Sequence, residues 1–171
     1  MLFRLYQPGD FAQLYAVEEQ CFLPPLRFSR QFMRQTIQSS ASATWIAEEQ
    51  TEMAGFAIVE WSRQRGAIIA YIQTLEVHPN HRRSGIATEL LRRLEASAEA
   101  AGAEHIWLHV DAENAAAIHL YRTNGYQFQG RQEHYYLRNR AAEIYVKALT
   151  PHSSSGTPSG ESSAKFRVSE P

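Results

Sequence analysis

The stretch YIQTLEVHPNHRRSGIATELL, residues 71–91, holds a strand-like alternation that stops at Pro79 and a helical periodicity that begins at Ile86. Between the two stands Arg82-Arg83-Ser84-Gly85-Ile86-Ala87. The first turn of a helix leaves backbone N–H groups unpaired and carries partial positive charge. Gly85 and Ala87 present little side chain to keep a phosphate from that backbone, so the junction suits a pyrophosphate. It has neither the three spaced glycines of a dinucleotide fingerprint nor the Gly-Lys-Ser/Thr ending of a triphosphate loop, which disfavours NAD and ATP. Taken alone, the same string also reads as a solvated turn with a convenient glycine before a helix.

Working outward, Ala67–Val77 reads as a strand, and Ile86 to Ala101 as a helix with Ile86, Leu90, Leu91, Leu94 and Ala98 on one side and Gly102 as its stop. His105–Val110 alternates as the next strand, so strand, helix and strand form a crossover between parallel neighbours. Upstream, the pattern predicts a strand over Phe3–Tyr6, a helix from Phe11 to Cys21, and a helix capped by Ser29 and ending near Gln38. An antiparallel pair follows over Thr44–Glu48 and Ala54–Trp61. Downstream, Asn114 caps a short helix ending at Asn124-Gly125, and Tyr135–Leu137 with Ile144–Leu149 form a closing hairpin. The fold class is α/β, with a central, partly parallel twisted sheet and helices on both faces.

The 171 residues, 44% hydrophobic, suffice for one core and are short for two. We read one domain over residues 1–150 and a disordered Ser/Gly/Pro-rich tail over 151–171. Seventeen Lys and Arg against eighteen Asp and Glu give a net charge of -1, which provides no positive field for nucleic acid or an anionic membrane. No apolar run approaches the roughly 20 residues of a membrane span, and the start of the chain lacks a signal-peptide core, so a soluble, cytoplasmic protein is expected. A single cysteine, Cys21, excludes an intrachain disulfide. His105 and His109 on one extended strand would stand roughly 13 Å apart, too far to share a metal, and no metal is expected. No apolar helix face is left unexplained, so a monomer is expected.

Arg82, Gly85 and Ala87 meet the pattern of the GCN5-related N-acetyltransferase superfamily: Arg or Gln, two residues, Gly, one residue, Gly or Ala. The resemblance spans about Phe3 to Leu149, and includes Tyr71–Val77, the run Asn114–Tyr121, and Asn124-Gly125-Tyr126. It implies a cradle for the pyrophosphate of acetyl-coenzyme A built from Arg82, Arg83, Gly85, Ile86 and Ala87. It also implies a strand, with Leu75 and Val77, that pairs with the pantetheine arm, and an Asn114-led helix beside the thioester. Within the superfamily the chain is most similar to NatE-type protein N-terminal acetyltransferases and next to the ribosomal-protein-alanine type. The matching segments are Tyr71-Ile72-Gln73-Thr74-Leu75, Leu108-His109-Val110, Tyr135-Tyr136 and, more loosely, Phe22-Leu23-Pro24-Pro25. The ribosomal type has a glutamate base where His109 stands, so the histidine favours the NatE-like comparison.

Acetyl transfer to an amine requires a neutral nitrogen, donors for a developing oxyanion and a proton for the departing thiolate. His109 is the candidate base, since an imidazole titrates near neutrality, and the resemblance assigns Tyr71 a share in holding a relay water. Tyr121 matches the family's proton donor, and the Val77 N–H is our candidate oxyanion donor, on a strand that must splay or bulge. Each has a duller alternative as a packed or hydrogen-bonded strand or core residue. Glu76, by alternation opposite to Leu75 and Val77, reads as a surface carboxylate.

A free α-amine titrates near 7.8 and a lysine near 10.4, a gap of roughly 3.5 kcal/mol in reaching the neutral form, so one imidazole suits an α-amine better. Phe22, Pro24, Pro25, Tyr135 and Tyr136 would form an apolar and aromatic entrance for a protein or peptide N-terminus. Adjacent strand residues face opposite ways, so only one of Tyr135 and Tyr136 enters unless the hairpin is irregular. Two other readings stay open: transfer to a lysine or small-molecule amine, and a non-catalytic acyl-coenzyme A binder.

Overall fold

The alternating run at 67–77 and the periodic run from Ile86 become the centre of the molecule in the computed structural model, which describes residues 1–23, 26–136 and 140–150. Along the chain stand β1 (Leu2–Leu5), α1 (Phe11–Cys21), α2 (Arg30–Gln38), β2 (Ser42–Glu49), β3 (Glu52–Gln64) and β4 (Ala67–Val77). They are followed by α3 (Ile86–Ala100), β5 (Ala103–Asp111), α4 (Ala115–Thr123), β6 (Gln127–Tyr136) and β7 (Arg140–Ala148). The strands form one sheet in the order β1-β2-β3-β4-β5-β7-β6. Every neighbouring pair is antiparallel except β4 and β5, the two strands joined through α3.

Each helix has a local cause. Ser29 accepts the Phe32 N–H at 3.1 Å and starts α2, and Asn114 accepts the Ala117 N–H at 3.1 Å and starts α4. Gly102, at φ +82°, stops α3 as expected. The tight turn from β3 into β4 runs through Arg65 and Gly66, both at positive φ, as a two-residue hairpin of right-handed twist requires.

The sheet is covered on both faces. On one, Ile86, Leu90, Leu91, Leu94 and Ala98 of α3 pack with Val59, Ile72, Ile106 and Leu108, joined by Tyr121 of α4. On the other, Phe11, Leu14 and Val17 of α1 and Met33 of α2 pack on Ile46, Phe56 and Ile58. Full burial of each such large side chain is worth about 1.5–3 kcal/mol. This second layer corrects the reading of Glu76: the side chain is 3% exposed, because the face opposite Leu75 and Val77 meets α1 rather than water. Pro24, Pro25, Leu137 and the 151–171 tail lie outside the described residues.

Two irregularities open the sheet in its middle. The β4–β5 register runs from Ile68 opposite Ala103 to Tyr71 opposite Trp107 and goes no further. Beyond it β4 stays with β3 as far as Val77, while β5 stays with β7 as far as Asp111. The two central strands therefore part in a V just before α3 begins. In β4, Ile58 faces Thr74 and Val59 faces Ile72, so Gln73 is the extra residue of a bulge at the start of the opening. Gly55 lets β3 approach here: a Cβ at that position would lie 2.5 Å from the Glu76 carbonyl oxygen.

Candidate active site

The mouth of the V is the start of α3. Gly85 is the N-cap residue at φ +80°, without a side-chain cap, and Arg83 also takes a left-handed φ of 62°. The Glu89 N–H reaches the Gly85 carbonyl at 3.2 Å, which leaves the earlier amides of the turn without intrahelical acceptors. Arg82 to Gly85 are exposed, Ala87 is half-buried, and Ile86, 3% exposed, anchors the helix in the core. A Cβ on Gly85 would meet nothing within 4 Å, so the space before these amides is open. Outward-turned amides, a helix dipole and two guanidinium groups fit the pyrophosphate of coenzyme A.

Beside this cradle, the His78 N–H donates to the Ala54 carbonyl of β3 at 2.9 Å. By strand alternation the peptide groups of Val77 and Leu75 turn the other way, into the V, where β5 has already departed. The Val77 carbonyl accepts Arg82 Nε at 3.2 Å and the Cys21 thiol at 3.7 Å, which fixes that peptide plane. The side chains of Leu75 and Val77 are half-buried against the α3 core. Asn114 is exposed, and its side-chain oxygen is used as the cap of α4.

On the β5 arm of the V, His109 and Tyr71 are in direct contact, with the Tyr71 hydroxyl 3.2 Å from His109 Nδ1. Trp107 packs against both, with ring centroids 4.6 Å from Tyr71 and 5.2 Å from His109. Tyr135 stacks on the imidazole at 4.2 Å and 13° between planes, and Tyr136 meets Tyr135 edge-on at 4.9 Å. Both tyrosines reach the cluster because the hairpin is irregular: Gln132 faces Ala142, Tyr136 faces Arg140, and His134 between them has a φ of 58°.

Burial lowers the His109 pKa below the usual 6.5, with the Gln132 side chain opposing in part. The imidazole is thus neutral at physiological pH. Its Nε2 is buried without a well-aligned hydrogen-bond partner among the described residues. Burial raises the pKa of Tyr71, and the neighbouring phenol of Tyr135 adds to the effect, so Tyr71 keeps its proton. Tyr121 is 7% exposed in the α3 core, edge-on to Tyr126 at 5.5 Å. Burial raises its pKa, with a smaller contribution from Tyr136, so Tyr121 is a protonated phenol.

The structure therefore brings Tyr71, His109, Tyr135 and Tyr136 together. Tyr121 approaches them from the α3 side through Tyr136, and Phe22 lies half-buried just past α1. Trp107 is the cluster member that sequence reasoning missed. It stands two residues before His109 on the same strand, and the period-two rule that placed His109 also places Trp107 on that face. No group of three or more His, Cys, Asp or Glu arranged to hold a metal occurs among the described residues. Nor is any helix there long and apolar enough to cross a membrane.

Comparison with known proteins agrees with the fold. Residues 11–126 match the acetyltransferase (GNAT) family. The streptothricin acetyltransferase of Streptomyces lavendulae is 42% identical over 79 residues, which is 46% of this chain and 41% of that relative, so the chain spans less than half its length. The ribosomal-protein-S18-alanine N-acetyltransferase of Escherichia coli superposes with a TM-score of 0.78 at 23% identity, covering 91% of this chain and 98% of the other. Arabidopsis thaliana NAA60, solved with acetyl-CoA, superposes with a TM-score of 0.78 at 22% identity over 86% of this chain and 98% of its own. With its opened central sheet and bare helix start, the chain belongs to the acetyltransferase (GNAT) family and is an acyltransferase.

Proposed function

We propose that the protein transfers an acetyl group from acetyl-coenzyme A to the N-terminal α-amine of a protein or peptide by direct attack of the amine. The observation that carries this reading is the 3.2 Å contact between the Tyr71 hydroxyl and a neutral, half-buried His109 at the opening between β4 and β5. Acetyl-coenzyme A, when bound, supplies an activated thioester. The backbone amides from Arg83 to Ala87 at the start of α3, with the Arg82 and Arg83 side chains, hold its pyrophosphate, and the edge of β4 at Leu75 and Val77 aligns the pantetheine. Asn114 holds the start of α4 beside it.

The acceptor enters between Phe22 on one side and Tyr135 and Tyr136 on the other. Nδ1 of His109 is occupied by the Tyr71 hydroxyl, so a proton leaving the ammonium passes to the Tyr71 oxygen as the Tyr71 proton passes to Nδ1. Tyr135, stacked on the ring, keeps bulk water from the imidazole. The Val77 N–H donates to the oxygen on which negative charge develops. Tyr121, held protonated by burial, returns a proton to the sulfur.

No carboxylate pairs with His109 among the described residues, and apart from the Gln132 side chain the neighbours described for it are aromatic. That lining suits an uncharged first side chain better than a polycationic amine. A second reading, transfer to a small-molecule amine, is favoured by the likeness to the streptothricin enzyme. Thiol release measured over peptides with free α-amines, Nα-blocked lysine peptides and small amines separates the readings. Fastest turnover on free α-amines is expected. Preference for a blocked lysine peptide or a free amine overturns the acceptor assignment, and saturable coenzyme A binding without thiol release would mark a binder without catalysis.

A further inference from the structure

Glu18 of α1 is fully buried and Glu76 of β4 is 3% exposed, and their carboxyl groups act on each other across the layer between helix and sheet. One oxygen of each is satisfied independently. Glu18 Oε1 accepts the Phe28 N–H at 2.7 Å, and Glu76 Oε1 accepts the Thr74 hydroxyl at 2.8 Å. The remaining Oε2 atoms of both are shut off from solvent and unpaired among the described residues, the Cys21 thiol also faces Glu76 as a weak donor, and no Lys or Arg there forms an ion pair with either carboxylate. Two carboxylates facing each other in a dry layer repel strongly, whereas one proton between them turns the repulsion into a strong hydrogen bond.

We propose that Glu18 and Glu76 share a single proton, and that this link positions the acceptor entrance against the cofactor strand. Its two ends have distinct loads. Glu18 holds the Phe28 N–H while the Tyr15 hydroxyl donates to the Phe28 carbonyl at 2.9 Å, so Phe28 is pinned on both sides where the α1–α2 connection returns to the body of the protein. Glu76 lies between Leu75 and Val77, the segment that lines the V. Burial first, and Glu18 second, push the Glu76 carboxyl well above the usual carboxylate range. The other titratable group facing Glu76 is the Cys21 thiol of α1, which burial raises to about 11, and Arg82 faces that thiol and donates to the same Val77 carbonyl.

The shared proton is tested by folding alone, whatever amine the enzyme accepts, whereas the positioning role rests on the proposed acceptor reading. For the proton, urea unfolding of the full chain is followed between about pH 5 and 8, below the range of the thiol. The native pair keeps a proton that the unfolded chain releases above about 4.5. The native state is therefore favoured most at low pH, and the unfolding constant of the wild type rises with pH by up to about tenfold per unit relative to Glu76→Gln. Parallel pH profiles of the two proteins overturn the shared proton.

For the positioning role, Glu18→Ala should raise the acceptor KM about tenfold while the coenzyme A Kd stays within about twofold. Glu18→Gln, whose amide can accept from Phe28 and donate to Glu76, should restore it. Equal losses in both variants, or a loss confined to coenzyme A affinity, overturn the link to the acceptor entrance. If wild-type turnover on peptides is absent while the pH linkage is present, the acceptor reading fails and the proton pair stands.

Discussion

Replacing Gly85 by alanine adds one methyl group where the cradle is widest. A Cβ there touches nothing within 4 Å, so the free protein pays no steric cost. What remains is backbone strain at φ +80°, about 1–2 kcal/mol for a residue with a side chain. Gly66 is a matched control: it sits at φ +94°, a Cβ there also meets nothing within 4 Å, and it lies in the β3–β4 hairpin. Gly66→Ala and Gly85→Ala should therefore lose similar stability by urea unfolding. They should differ in calorimetry with coenzyme A. At Gly85 the methyl group stands where the pyrophosphate must approach, and losing one or two charge-assisted hydrogen bonds at about 1.5 kcal/mol each weakens binding about 10- to 100-fold. Gly66→Ala should bind like the wild type. Equal affinities for the two variants would refute the placement of the phosphate at the start of α3.

Tyr71→Phe keeps the ring packing on Trp107 and removes the hydroxyl that meets His109, so kcat should fall about 100-fold or more with little change in coenzyme A affinity. In the wild type the neutral imidazole is the active form and burial depresses its pKa, so kcat/KM should decline only as pH falls through a midpoint below 6.5. His109→Ala should abolish that limb, and an unchanged profile would make His109 structural. Tyr121→Phe should lower kcat without a matching change in coenzyme A Kd, since only the proton is removed from a buried ring; unchanged turnover rejects its role as acid. Gly55→Ala forces a Cβ to 2.5 Å from the Glu76 carbonyl oxygen and 3.2 Å from Val77 Cα, both backbone, so it should cost about 1–3 kcal/mol in urea unfolding and weaken coenzyme A binding as β4 shifts.

Most of the fold was legible because its central elements obey simple periodicities. Ala67–Val77 and Phe11–Cys21 match the observed β4 and α1 end to end, and Ser29 and Asn114 cap the helices assigned to them. The start of β6 was not legible: Gln127–His134 is mostly polar, because an edge strand packs its neighbour with few buried side chains. The burial of Glu76 was hidden for a different reason. Alternation separates the two faces of a strand without saying which is wet, and its partner Glu18 comes from a helix 58 positions away in sequence. The candidate site divides in the same manner. His109, Tyr71 and the α3 cradle announce themselves through local strings, whereas the stacking of Tyr135 on His109 depends on the bulge around His134, set by pairing with β7.

The most direct test is an amide-resolved titration of the 15N-labelled protein with coenzyme A. Saturable shifts centred on the backbone N–H groups of Arg83 to Ala87 and of Val77 are the expected result. Binding that leaves those amides unmoved, or no binding at all, would contradict the account.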